Sequence, residues 1–127
     1  MKRFINKVVA ITGGGSGMGK TTCEMFANEG AIIAVIDVNE QGALDTVKAI
    51  ENNGGKAKAY KADITDETRM ADVFEDIYNT FGHIDILYNN AGISPTGTAV
   101  TTSIDDFRKV IKIDMEAVFI ACHIVIP

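Results

Sequence analysis

The chain has 127 residues, enough for one domain with a single hydrophobic core. Its apolar fraction of 46% and charged fraction of 23% are ordinary for a globular protein, and 17 acidic against 12 basic residues give a formal charge of −5. That balance lends no support to nucleic-acid or anionic-membrane binding, and no apolar stretch approaches a membrane span or a signal-peptide core, so the cytoplasm is the default location.

The β-branched run Lys7 to Ile11 reads as a buried strand that stops at the glycine cluster of residues 13–19. A helix follows from about Gly17 to Asn28, with Met18, Thr22, Met25 and Phe26 spaced to face a sheet and Glu29-Gly30 closing it. Ala31 to Asp37 is an almost unbroken apolar run, as in a strand covered on both faces of a parallel sheet. Asn39 can cap a second helix reaching about Glu51, with Ala43, Leu44, Val47 and Ile50 as its inner stripe. After the turn Asn52-Asn53-Gly54-Gly55, the alternating segment Ala57 to Asp63 predicts a strand with a wetter face, nearer a sheet edge. Thr65 and the acids after it resemble a capping box that opens a third helix, whose face is Met70, Val73, Phe74, Ile77 and Phe81 and whose stop is Gly82. Ile84 to Asn89 is a fourth strand, which breaks into Asn90-Ala91-Gly92 and a polar loop. Ser103 then caps a long helical pattern through Ile104, Phe107, Val110, Ile111, Met115, Val118, Phe119 and Cys122. Cys23 and Cys122 both fall in helices, where small core fillers are expected rather than a disulfide or redox pair.

Strands alternating with helices predict an α/β, three-layer, Rossmann-type doubly wound parallel sheet. The edge-like third strand and the buried others suit the order 3-2-1-4, with a ligand crevice above strands one and four, where the order reverses. A sheet of this kind does not ordinarily stop beside its switch point, so the sequence reads as a partial fold, a single dinucleotide-binding domain over 1–127 truncated before a second half.

Glycines after the first strand permit a tight turn and bring backbone N–H groups close to an anion, at the positive end of the following helix. Two phosphate motifs fit. Gly14-x-x-x-x-Gly19-Lys20-Thr21 satisfies the P-loop pattern of a phosphotransferase, and Thr12-Gly13-x-x-x-Gly17-x-Gly19 is a looser relative of the dinucleotide fingerprint. The dinucleotide pattern also calls for an acid about 20 residues on to take ribose hydroxyls, and Asp37 closes the second strand there. Asp37 could instead cap the following turn, or serve a P-loop as its strand-end aspartate.

Asp63-Ile64-Thr65 after strand three and Asn89-Asn90-Ala91-Gly92 after strand four add further matches. Together with the Thr12 to Gly19 loop and Asp37, they make the chain resemble the short-chain dehydrogenase/reductase family across essentially all its length. The resemblance implies that Gly13, Gly15, Ser16, Gly17, Met18 and Gly19 hold a pyrophosphate and that Asp37, with Val38 beside it, receives the adenosine ribose. Asp63 and Ile64 would flank the adenine, and Asn90, Ala91 and Gly92 would pass near the nicotinamide-side ribose. It also implies hydride transfer between the nicotinamide and a carbonyl or alcohol substrate, and a homodimer or homotetramer of the full-length protein. No metal site is expected, because His83 and His123 are far apart in sequence and have no ligand partners. The subunit interface would use the last helix, through an outer face of Ala117, Ile120 and Ile124. NAD is expected over NADP. A 2′-phosphate about 4 Å from Asp37 would meet a repulsion on the order of 4 kcal/mol per unit charge at an effective dielectric near 20.

The family's acid/base tyrosine has a lysine four residues on. Here Tyr60 is followed at that offset by Ile64, Tyr78 by Gly82 and Tyr88 by Gly92. The serine, tyrosine and lysine are therefore expected beyond Pro127. Asp114 stands where the family has a catalytic asparagine, an acceptor in place of an amide, and reads equally well as a helix-surface acid. A catalytically empty nucleotide-binding module is the alternative to an enzyme, with the P-loop phosphotransferase behind it.

Overall fold

The computed structural model describes residues 1–127. Four parallel strands, β1 (Val8–Thr12), β2 (Ile32–Asp37), β3 (Lys56–Lys61) and β4 (Ile86–Tyr88), form one sheet in the order β3-β2-β1-β4. Val8 pairs with Ile32 and Ile32 with Lys56, while Val9 pairs with Ile86. The central position of β1 follows from its composition, since all five of its residues are buried and only a strand covered on both faces can use such a run. On the outer strand β3, Lys56, Lys58 and Lys61 are exposed.

Successive side chains point to opposite faces, so the central strands feed two core layers. Val8, Ala10, Ala34 and Ile36 pack with Met70, Val73, Phe74 and Ile77 of α3 (Glu67–Phe81) and with Ala121 of α5 (Ala117–Val125). Val9, Ile11, Ile33 and Val35 pack with Cys23 and Ala27 of α1 (Gly17–Asn28) and with Ala43 and Ile50 of α2 (Glu40–Asn52). This is the expected three-layer, doubly wound architecture in strand order 3-2-1-4.

Four local expectations need correction. The inner face of α1 is Gly19, Cys23 and Ala27, whereas Met18 and Met25 are exposed. Small residues mark the closest approach of this helix, so the larger side chains mislead. In α2 the buried stripe is Ala43, Thr46 and Ile50, and Leu44 is exposed. The cap of α3 is Asp66, whose carboxylate accepts the Arg69 N–H at 3.0 Å, while the Thr65 hydroxyl donates to Asp63 at 2.7 Å. Asn39 and Ser103 open their helices and Gly82 closes α3, as expected.

The last correction is the largest. The helix opened by Ser103 is α4 (Ile104–Ile111), a wide π-helical turn over Lys112–Glu116, and then α5. The wide turn shifts the phase between the two helices. Ala117 is buried and Ile124 packs against the core, whereas Phe107, Met115 and Phe119 face outward. The outer face is therefore not the one that an uninterrupted helix would present.

Candidate functional site

A cleft of about 640 Å³ opens above the carboxyl ends of β1 and β4, at the point where the strand order reverses. Gly13, Ser16, Gly17, Met18 and Gly19 line one side of it, Asp37, Val38, Asp63 and Ile64 another, and Asn90, Ala91 and Gly92 a third. Two of the residues singled out from sequence, Gly15 and Asp114, are not in its wall. Ala62, Ile93, Lys109 and Ile113 line it as well. The first two merely adjoin the motifs read from sequence. Lys109 and Ile113 are four apart on one helical path, a spacing that puts both on one face.

Close backbone packing shapes the glycine turn. Gly13 has φ +68°, and a Cβ there would lie 3.0 Å from both the Ala91 Cα and the Asn90 side chain. A Cβ on Gly19 would run into the Gly13 carbonyl, so only glycine lets α1 sit this close to β1. Thr12, buried at the end of β1, accepts the N–H groups of Asn90 and Ala91 with one hydroxyl, each at 3.1 Å. The Asn90 side chain donates to the Gly13 carbonyl at 3.3 Å. These bonds join the turn after β1 to the turn after β4.

The Asp37 carboxylate sits at the glycine turn. It accepts the Gly15 N–H at 2.8 Å through Oδ2 and the Asn39 N–H at 2.9 Å through Oδ1. An ionised carboxylate offers about four acceptor positions, so two remain for hydroxyl groups in the cleft. Asp63 accepts both the N–H and the hydroxyl of Thr65, at 2.9 and 2.7 Å, and these bonds hold its carboxyl below the usual carboxylate range. Beneath the turn, burial pushes the Cys23 thiol up to about 12, so it stays protonated and inert.

The start of α1 differs from those of the other helices that begin from a loop. Asn39, Asp66 and Ser103 each cap with a side-chain oxygen, whereas Ser16 makes no such bond and the first turn of α1 carries no acid. The first amides of a helix have no partner within it. At α1 they belong to Gly17, Met18 and Gly19, which line the cleft, where the helix dipole also favours negative charge.

Neither Lys20 nor Thr21 is in the cleft wall, and the Thr21 hydroxyl donates back to the Gly17 carbonyl at 3.2 Å. The P-loop assignment of metal and phosphate ligands therefore finds no geometry here. Asp114 lies in the π-helical turn and accepts the Ile93 N–H at 2.9 Å, tying the loop after β4 to the helix. Tyr60 donates its hydroxyl to Asp76 at 2.6 Å, on the α3 side of the sheet and away from the cleft.

A sequence profile described as short chain dehydrogenase matches residues 7–127. The chain belongs to the short-chain dehydrogenase family. It is 38% identical over 126 residues to the cyclohexanol dehydrogenase of Acinetobacter sp. (strain SE19), covering 98% of this chain and 50% of that one. It is 37% identical over 125 residues to the meso-2,3-butanediol dehydrogenase of Serratia marcescens, covering 98% and 49%. The solved structure of an NAD⁺-bound xylitol dehydrogenase superposes with a TM-score of 0.94 at 30% identity, over 98% of this chain and 48% of that one. This short-chain dehydrogenase sequence thus spans about half the length of the curated relatives it matches. The family takes a nicotinamide cofactor, and the uncapped amides, the acid at the turn and the paired loops suit one.

Proposed function

We propose that the chain is the cofactor-binding half of an NAD-dependent oxidoreductase that moves a hydride between the nicotinamide and the carbonyl or alcohol carbon of a small substrate. The observation that carries this reading is the uncapped start of α1 facing the same cleft as the Asp37 carboxylate. The amides of Met18 and Gly19 donate to the diphosphate, and the free acceptor positions of Asp37 take the adenosine ribose hydroxyls. Asp63 and Ile64 flank the adenine, and Asn90, Ala91 and Gly92 border the second ribose. Bound there, the nicotinamide supplies the hydride acceptor or donor. Alcohols and their carbonyl partners are the proposed substrates, in keeping with the alcohol dehydrogenases among the relatives. The proposed whole protein is a cytoplasmic homodimer or homotetramer, in a compartment where free thiols such as Cys23 and Cys122 stay reduced.

Asp37 is the basis for NAD over NADP. Even a third of the ~4 kcal/mol repulsion between its charge and a 2′-phosphate is about tenfold in affinity. Fluorescence titration with both reduced cofactors tests this, with NADH expected to bind at least about tenfold more tightly. Equal or tighter NADPH binding would remove the role given to Asp37, and binding of neither would remove the dinucleotide reading. NADH binding by a full-length polypeptide that turns over no alcohol would leave a catalytically empty module.

A further inference from the structure

Two consecutive glycines, Gly14 and Gly15, sit at the heart of the turn, and the peptide unit between them has no side chain on either flank to hinder its rotation. A trans peptide points its C=O and its N–H in opposite directions. Here both ends are held. The Gly15 N–H donates to Asp37 Oδ2 at 2.8 Å, and the Gly14 C=O accepts the hydroxyl of Thr46 at the same distance. The only other donor to that carbonyl is the Cys23 thiol, at 4.0 Å. The next amide back is also committed, since the Gly14 N–H donates to the Ile36 carbonyl at 3.3 Å.

Thr46 is fully buried in α2. A helical threonine ordinarily turns its hydroxyl back to the carbonyl four residues earlier, and Gly42 O is indeed within reach at 3.1 Å. One hydroxyl hydrogen cannot serve both acceptors fully, and the shorter bond goes across to Gly14. The two anchors of the peptide are themselves connected. Asp37 accepts the Asn39 N–H, Asn39 caps α2, and α2 carries Thr46.

We infer that Thr46 is a positioning residue for the dinucleotide: by holding the Gly14–Gly15 peptide, it fixes the Asp37 carboxylate in the orientation that accepts a ribose and repels a 2′-phosphate. The inference deepens the dinucleotide reading and rests on it. Without the hydroxyl, the Gly14 carbonyl loses its one strong partner, the peptide is held only through its Gly15 N–H, and the bond that aims the carboxylate loosens.

The test compares wild type, Thr46→Val and Thr46→Ser by NADH and NADPH titration, alongside thermal melting. Thr46→Val keeps the shape and is expected to weaken NADH about tenfold while narrowing the NADH-over-NADPH preference. Thr46→Ser, which keeps the hydroxyl, is expected to restore both to within about threefold. A lower melting temperature alone would follow from any buried change, so the preference is the deciding readout. A preference unchanged in Thr46→Val would overturn the inference while wild-type NADH binding left the dinucleotide reading standing. Failure of wild type to bind NADH would bring down both. Should Thr46→Val not fold, Thr46→Ala takes its place in the same titrations, with the same narrowing expected and an unchanged preference overturning the inference.

Discussion

In α3 the apolar side chains at positions 70, 73, 74 and 77 are sealed against the sheet, whereas in the arm from α4 to α5 Ile104, Phe107, Met115 and Phe119 point away from it, with Phe119 68% exposed. Both segments carry an apolar stripe at helical spacing. The stripe shows that a face favours cover, but the supplier of that cover depends on where the helix lies relative to the sheet. α3 crosses the sheet and its stripe is the contact. α5 buries only alanines fully, Ala117 and Ala121, with Ile124 and Val125 partly buried against the core, whereas Met115 in the π-helical turn and Phe119 point outward. Between these flanks the glycine turn is built differently again, from backbone amides and single hydroxyls.

The contrast can be broken most sharply by truncation. Ile77→Ala is expected to destabilise the fold by about 3 kcal/mol, because it removes a fully buried side chain and leaves a cavity. Phe119→Ala is expected to move stability by less than about 0.5 kcal/mol in the monomeric chain. Chemical denaturation of both variants reads the difference, and similar losses would mean that the outer stripe is covered. At the seam between the two flanks, Thr12→Val removes the acceptor for two N–H groups and should cost about 2 kcal/mol in the same assay. A change within error would show that those amides find other partners.

The smallest effect expected is a pH dependence on the α3 side. Lys58, and after it Tyr60, hold the Asp76 carboxyl below its ordinary 3.8, so this stabilisation is present above that value and fades as pH falls through the lowered one. Burial, and then the bond to Asp76, raises Tyr60 above its ordinary 10.0, so its share is complete below pH 10 and is lost as pH climbs from there. Melting temperature against pH should show both limbs, and Tyr60→Phe should flatten the alkaline one. An alkaline limb identical in the variant would remove Tyr60 as its source.

Much of the architecture was legible from residue patterning alone. The unbroken apolar runs of β1 and β2, the alternation in β3 and the caps at Asn39 and Ser103 together sufficed for the element order and for the strand order. The phase of α5 was not legible, because a wide helical turn leaves no mark on apolar spacing. Nor could the stripe of α1 be read from hydrophobicity, since closeness of approach there selects small residues. Asp66 and Thr65 are adjacent residues that can both cap, and sequence alone ranked them wrongly. At the site, the glycines, Asp37 and the Asn90 loop announce themselves by type and spacing. Thr12 and Thr46 do not, because a lone hydroxyl that holds one carbonyl or two amides belongs to no repeating pattern.

The two borders of the sheet are unequal in a way that governs growth. Lysines at 56, 58 and 61 line the rim formed by β3, and the charge and hydration of such side chains oppose the docking of another strand. The opposite rim, Ile86-Leu87-Tyr88, carries no charge and bonds only to β1 on its inner side. Any strand recruited to this sheet, from the same polypeptide or from another, is thereby directed to one border, and the sheet can lengthen in a single direction.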